Sequence, residues 1–140
     1  KEIKKMDFKI KLDTNATNLP QIKKLIDLNL LDYIAIDFKA PSYKFKKIVG
    51  VDMYDNTIKT IQYLIRIDFS FELRTTINKS LLDENDINEM IKTISNLRYK
   101  KTYYLQNFLE TSSNIGNISK SSDIDKNKID CQNLTIQYRN

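Results

Sequence analysis

Apolar and polar residues alternate within four segments of this chain, and this alternation is the strongest constraint on its fold. In the second segment one face is apolar throughout, while the other face ends in Asp37 and Lys39. Because successive side chains of a β-strand point to opposite faces, the predicted sheet must have one apolar and one polar face. The four predicted strands are residues 8–12, 33–38, 69–77 and 102–108.

Helical segments alternate with these strands, which is typical of parallel βαβ units with right-handed crossovers. A doubly wound sheet needs strands that are apolar on both faces, and a closed eight-stranded barrel fills its interior with bulky aliphatic side chains. Neither accommodates a polar face. The sequence therefore predicts an α/β fold, a partial (βα) barrel of parallel strands with its helices outside. The predicted helices are residues 18–29, 43–48, 55–66 and 83–96, with Gly50 ending the second and Asp55 and Asp83 capping the last two.

The chain of 140 residues is long enough for one domain with a hydrophobic core. We predict that the partial barrel occupies residues 1–109. Residues 110–133 are rich in Ser, Asn, Asp and Lys, which predicts a flexible polar segment. Residues 134–139 alternate again and predict a terminal strand.

Composition narrows the classes of function. Cys131 is the only cysteine and the chain has no histidine, so structural zinc and most nucleophile–base pairs are nearly excluded. No apolar run approaches the ~18 residues of a membrane span, and we expect no membrane partner and a cytoplasmic location. The net charge of +5 allows an anionic partner, but the scattered lysines do not favour nucleic acid.

Each predicted strand delivers polar groups near its carboxyl end, which predicts one shared site at one edge of the sheet. The motifs are Lys-Leu-Asp-Thr-Asn at 11–15, Asp-Tyr-Ile-Ala-Ile-Asp-Phe-Lys-Ala-Pro at 32–41, Phe-Glu-Leu-Arg-Thr-Thr at 71–76 and Tyr-Tyr-Leu-Gln-Asn-Phe at 103–108. In this order they resemble the later strands of radical S-adenosylmethionine enzymes. The resemblance is closest to the activating proteins of anaerobic ribonucleoside-triphosphate reductase and related glycyl-radical activases.

The resemblance implies a parent enzyme with a partial (βα)6 barrel and a [4Fe-4S] cluster on a CxxxCxxC loop. That motif is absent here, and Cys131 alone cannot hold a cluster. We therefore expect the C-terminal portion of such an enzyme, inactive without the N-terminal half that carries the motif. The implied partners are that missing half and a glycyl-radical enzyme, anaerobic ribonucleotide reductase. Reductive cleavage of S-adenosylmethionine by the parent enzyme would generate the glycyl radical.

The resemblance also assigns an S-adenosylmethionine site to the polar face. Asp37 and Lys39 would line it, and Lys39 would pair with the carboxylate of the ligand. Arg74 would contact the ligand or support the carboxylates, and Gln106 would close the site from the last strand. The predicted ligand-binding residues are Asp13, Thr14, Asn15, Asp37, Lys39, Arg74 and Gln106, of which Asp13, Thr14 and Asp37 could also hold a small cation.

Three departures from the resembled family concern glycines. Members usually carry glycine where this chain has Asp7 and Ala16, and Pro-Gly where it has residues 78–79. Each change removes a residue that adopts a left-handed turn readily; Asn and Asp tolerate that geometry moderately and Ala poorly. A degenerate gene product and a non-catalytic half-barrel that binds a partner therefore remain alternatives. A barrel enzyme acting on a phosphorylated metabolite is a third, although the chain has no glycine-rich phosphate loop.

Overall fold

A computed structural model of the chain describes residues 1–110 and 118–139. Within these residues one sheet of five parallel strands forms, and its spatial order follows the sequence order. The strands are β1 (Lys11–Thr14), β2 (Tyr33–Asp37), β3 (Phe71–Ile77), β4 (Tyr103–Asn107) and β5 (Ile136–Arg139). The helices are α1 (Glu2–Lys5), α2 (Leu19–Asp27), α3 (Ser42–Val49), α4 (Tyr54–Arg66) and α5 (Glu84–Asn96). None of the described helices is long and apolar enough to cross a membrane.

The sheet has one apolar and one polar face, as the alternation predicts. Ile34, Ile36, Leu73 and Leu105 are fully buried, and they share one core with the inward side chains of α2, α4 and α5. Right-handed crossovers between neighbouring parallel strands bring their connecting helices to the same side of a sheet. The predicted α/β fold with parallel strands and external helices is confirmed, and the arrangement is consistent with a partial barrel.

The starts of β1 and α4 differ from their predictions for reasons that the structure shows, and β3 begins two residues later than predicted. Strand β1 begins at Lys11 rather than at residue 8, because the N–H of Ile10 donates to the side chain of Asp32 (2.6 Å) instead of entering the sheet. Helix α4 begins at Tyr54 after Met53, so Asp55 lies in the first turn and is not the N-cap. The described strands β2, β3 and β4 each lie within the predicted range but are shorter.

The caps of two other helices follow their predictions. Asp83 precedes α5, and its side chain accepts from the N–H of Asp86 (3.0 Å), while the side chain of Asp86 accepts from the N–H of Asp83 (2.8 Å). Such a capping box satisfies two N–H groups that the first helical turn leaves without partners. Gly50 ends α3 with φ of 85°. Both ends are therefore specified by local sequence.

Besides α1, which Asp7 follows, three helices end in left-handed residues that are not glycine. Asn29, Asp68 and Arg98 follow α2, α4 and α5 with φ of 53°, 50° and 61°. After α5, Arg98 N–H donates to Ser95 O (2.8 Å) and Tyr99 N–H donates to Ile94 O (3.2 Å). This pair of bonds is the Schellman motif, in which glycine normally occupies the left-handed position. Each of these helix-to-strand turns therefore carries a side chain in a conformation that favours glycine.

Two of the three departures from glycine fall on left-handed residues. Asp7 has φ of 60° and Ala16 has φ of 61°, whereas neither residue 78 nor residue 79 is left-handed. Ala16 lies in the loop that follows β1 and is fully buried. The strain expected from the sequence is therefore present at the first two positions and absent from the third.

The polar segment before β5 contributes to the core where the structure describes it. Ile124, Ile129 and Leu134 are buried in the same core as the strands. The Asn78 side chain donates to Ser119 O (2.9 Å) and Glu84 accepts from Asp125 N–H (2.7 Å), which joins this segment to the loop after β3 and to the first turn of α5. Residues 111–117 of the predicted flexible segment lie outside the described residues. Strand β5 begins at Ile136, two residues later than the alternation at 134–139 suggests.

Candidate ligand-binding site

Three strands bring four of the predicted site residues into one ion-pair cluster on the polar face. Arg74 of β3 is the centre, because its Nε lies 2.5 Å from Asp37 Oδ1 and its Nη1 lies 3.1 Å from Asp13 Oδ1. Lys39 Nζ lies 3.3 Å from the second oxygen of Asp37. Asp37 and Arg74 are register partners of parallel strands, so the sheet itself holds this pair together.

The cluster keeps Asp37 ionised. Burial raises the pKa of the Asp37 carboxyl, but the hydrogen bond from Arg74 and the charge of Lys39 outweigh burial, and the pKa lies below its usual value. The same hydrogen bond raises the pKa of Arg74. A buried charge is stable only when it is paired and hydrogen-bonded. This part of the polar face is therefore a preformed charged surface at neutral pH.

The loop after β1 is held by helix α4. Thr60 Oγ1 donates to the backbone oxygen of Ala16 (2.7 Å), and Thr57 Oγ1 donates to that of Asn15 (3.1 Å). The side-chain oxygen of Asn15 accepts from Thr17 N–H (3.2 Å), which closes an Asx turn. Both α4 threonines are fully buried, so the loop that leads away from Asp13 has a fixed path.

Thr14 is not brought to the ion-pair cluster. It pairs in register with Ile36, whose side chain lies in the core, and its Oγ1 accepts from the N–H of Ala16 (3.0 Å). Thr14 therefore lies on the opposite face from Asp13 and Asp37. Those two carboxylates are joined by an arginine, and the structure does not gather the three residues of the predicted cation set at one point.

A cleft of about 400 Å³ adjoins the cluster at the carboxyl edge of the sheet. Lys39 and Asn15 reach it from the site, and the apolar part of its wall comes from α3, from the loop before α5 and from residues 108 and 118. Gln106 of β4 is the register partner of Thr76, which lines the cleft, but Gln106 itself does not line it. The lining residues are Asn15, Lys39, Ile48, Val49, Thr76, Asn78, Leu81, Leu82, Phe108 and Ile118.

An ion pair between a buried carboxylate and a half-buried arginine lies in the middle of the polar face and is absent from the sequence prediction. Glu72 of β3 accepts two bonds from Arg139 of β5, at 3.2 and 3.1 Å, and Arg139 also lies over the ring of Tyr104. Lys11 Nζ bridges this pair to the cluster, at 3.5 Å from Glu72 and 3.8 Å from Asp13. The alternation in β5 places Arg139 on the polar face, but that signal alone does not identify its partner.

The described residues do not fit an iron–sulfur cluster. Cys131 is exposed, and no group of three or more His, Cys, Asp or Glu side chains among residues 1–110 and 118–139 could hold a metal ion. They do fit a zwitterionic ligand, since Lys39 can receive a carboxylate and Asp13 and Asp37 can receive an ammonium group. The site therefore has the charges to receive a ligand that carries both a carboxylate and an ammonium group, and the described residues supply no set of metal ligands.

The chain is similar in sequence to a protein of Methanocaldococcus jannaschii described as a "putative glycyl-radical enzyme activating enzyme". The identity is 34% over 96 residues, which are 65% of this chain and 40% of that protein. The chain thus spans about 40% of the length of the curated relative that it matches. No family model matches the chain. No solved structure matches it either. The similarity supports a relationship with glycyl-radical activating enzymes.

Proposed function

We propose that this chain is the S-adenosylmethionine-binding C-terminal part of a radical S-adenosylmethionine activating enzyme. The observation that carries the proposal is the cluster in which Arg74 joins Asp37 and Asp13, with Lys39 at the edge of the cleft. The similarity to a described activating enzyme supports the same assignment. The partner would be a glycyl-radical enzyme, and the strand-end motifs favour anaerobic ribonucleotide reductase.

The chain's own residues would bind and orient the ligand. Lys39 would take the carboxylate of S-adenosylmethionine, because Asp37 is already bound tightly by Arg74 and leaves Lys39 with a longer contact. Asp13 is more than half exposed and would face the ammonium group. When bound in the complete enzyme and supplied with an electron by the iron–sulfur cluster, S-adenosylmethionine would supply the radical chemistry that removes a hydrogen atom from a glycine of the partner. The protein supplies binding, orientation and charge.

The part of the enzyme that binds the iron–sulfur cluster would have to come from another polypeptide segment. A [4Fe-4S] cluster needs several thiolates, and Cys131 is the one cysteine of the sequence. The isolated chain would therefore bind S-adenosylmethionine without cleaving it. This same observation supports the alternative of a non-catalytic half-barrel that binds a partner and has no adenosylmethionine affinity.

Calorimetric titration of the isolated chain with S-adenosylmethionine tests the proposal. We expect binding that Lys39→Ala weakens by about tenfold, the usual loss for a charge-assisted bond of roughly 1.4 kcal/mol. Lys59→Ala is the matched control, because Lys59 is an exposed lysine on α4. Absence of binding by the unaltered chain, or equal losses in both variants, would refute the proposed site.

Reconstitution with iron and sulfide tests the division of roles. We expect the isolated chain to show no absorbance from an iron–sulfur cluster. A stable [4Fe-4S] signal would contradict the assignment of the cluster to another segment. A chain that neither binds S-adenosylmethionine nor assembles a cluster would favour the non-catalytic half-barrel.

A further inference from the structure

Glu72 is a buried carboxylate whose main partner comes from the last described strand. The residue is only 6% exposed and lies in the middle of the polar face. Arg139 makes two contacts with it, at 3.2 and 3.1 Å, whereas Lys11 Nζ and the Tyr33 hydroxyl each lie at 3.5 Å. A two-point arginine–carboxylate contact is both stronger and more directional than a single lysine contact. Arg139 therefore satisfies most of the bonding demand of Glu72.

Glu72 also competes for the arginine at the centre of the candidate site. Glu72 and Arg74 are two residues apart on β3, so their side chains leave the sheet on the same face. The titratable groups around Glu72 are Lys11 from β1, Tyr33 from β2, Arg74 from β3, Tyr104 from β4, Arg139 from β5, and Tyr99 and Lys101, which line the same pocket as Glu72. Lys101 donates to Phe69 O (2.9 Å), so Lys11 and Arg74 are the nearest cations of the ion-pair network if Arg139 is removed, and both now contact Asp13.

We propose that Arg139 is a positioning residue that acts through Glu72 and leaves Arg74 to Asp37 and Asp13. Without Arg139, the buried carboxylate keeps only its two contacts at 3.5 Å and draws Lys11 and Arg74 toward itself, because a poorly paired buried charge is more costly than an exposed one. Asp13, which is more than half exposed, is then the partner that loses its cation. The significance of this arrangement for S-adenosylmethionine rests on the proposed function.

The consequence for the ligand follows from the arrangement of charge. A displaced Arg74 frees Asp13 and weakens the hold on Asp37, so Lys39 is drawn closer to Asp37 and is less available at the cleft. Residues in one ion-pair network commonly couple by amounts equivalent to a roughly tenfold change in affinity. The last described strand would in this way control a ligand site that it does not line.

Nuclear magnetic resonance of the ligand-free chain tests the positioning role directly. The Arg74 Nε–H signal reports the 2.5 Å bond to Asp37, and the Glu72 carboxyl carbon reports the titration of that group. In Arg139→Gln we expect the Arg74 signal to move and the titration midpoint of Glu72 to rise. In Glu72→Gln/Arg139→Gln we expect the Arg74 signal to return. Lys59→Gln, which removes an exposed charge on α4, is expected to leave both signals unchanged.

Titration of the same variants with S-adenosylmethionine gives the second measurement. We expect Arg139→Gln to weaken binding about tenfold and the double variant to recover most of the loss. Arg139→Lys keeps the charge without the two-point contact, so it replaces Arg139→Gln in both measurements if the glutamine variant does not fold. Its Arg74 and Glu72 signals are expected to lie between those of the unaltered chain and those of Arg139→Gln. An Arg74 signal that does not move in Arg139→Gln or in Arg139→Lys overturns the proposal. Equal losses of S-adenosylmethionine affinity in Arg139→Gln and in the double variant overturn it as well. Moved signals with no binding by any chain uphold the positioning role and refute only the proposed ligand.

Discussion

Replacing Arg98 by glycine is expected to stabilise the fold. Arg98 has φ of 61° and is exposed after α5, where its N–H closes a Schellman motif. A non-glycine residue in the left-handed region costs roughly 1–2 kcal/mol, while glycine raises the entropy of the unfolded chain by about 0.4–1 kcal/mol. The difference is a gain of about 0.8 kcal/mol, or a rise of about 3 °C in the melting temperature for a chain of this size.

Two further variants separate backbone strain from side-chain effects. Arg98→Ala removes the same side chain but keeps the Cβ atom, so it should give little or none of the gain. Ala16→Gly relieves the same strain at φ of 61°, but it also removes a fully buried methyl group worth about 0.8 kcal/mol. Its net effect should be near zero. Thermal melts followed by circular dichroism measure all three, and an alanine variant as stable as the glycine variant would refute the argument from strain.

The remaining predictions concern the site and its supports. Arg74 holds the pKa of Asp37 below its usual value, so this pair stabilises the fold above about pH 4 and the contribution disappears as the pH falls through the lowered pKa. Asp37→Asn should accordingly flatten the loss of stability on acidification, as measured by urea unfolding from neutral pH down to about pH 3. Thr60→Val should cost about 1–2 kcal/mol in urea unfolding, because it removes the 2.7 Å bond to the buried Ala16 oxygen at nearly constant volume. Asp83→Ala should cost about 1 kcal/mol by losing the N-cap of α5, and Asp83→Asn should restore most of it.

Local rules in the sequence account for the face division and the meeting of the strand ends. Alternation needs only the geometry of a strand, and parallel neighbours bring their carboxyl ends to one edge. Asp37 and Arg74 could therefore be placed together from two separate motifs, and the structure makes them register partners. The predicted start of β1 is wrong because the true start depends on a hydrogen bond from the N–H of Ile10 to the side chain of Asp32, which lies 22 residues later in the sequence.

The supports of the site depend on contacts that no local pattern reveals. Glu72 and Arg139 are 67 residues apart, and their contact follows from the position of β5 beside β4. Thr57 and Thr60 lie among the apolar positions of α4, where a helical pattern gives no reason for a hydroxyl. Their partners are backbone oxygens of a loop over 40 residues earlier. Such contacts appear only once the sheet order and the helix positions are known.

The charge balance of the polar face indicates which residue remains for a ligand. The described network holds four cations, Lys11, Lys39, Arg74 and Arg139, against the carboxylates of Asp13, Asp37 and Glu72. Arg139 and Arg74 make the close contacts, and Lys11 spans two carboxylates. Lys39 has one contact at 3.3 Å, to a carboxylate that Arg74 already binds at 2.5 Å. It is also the network cation that lines the cleft, so an incoming carboxylate would find its partner in Lys39.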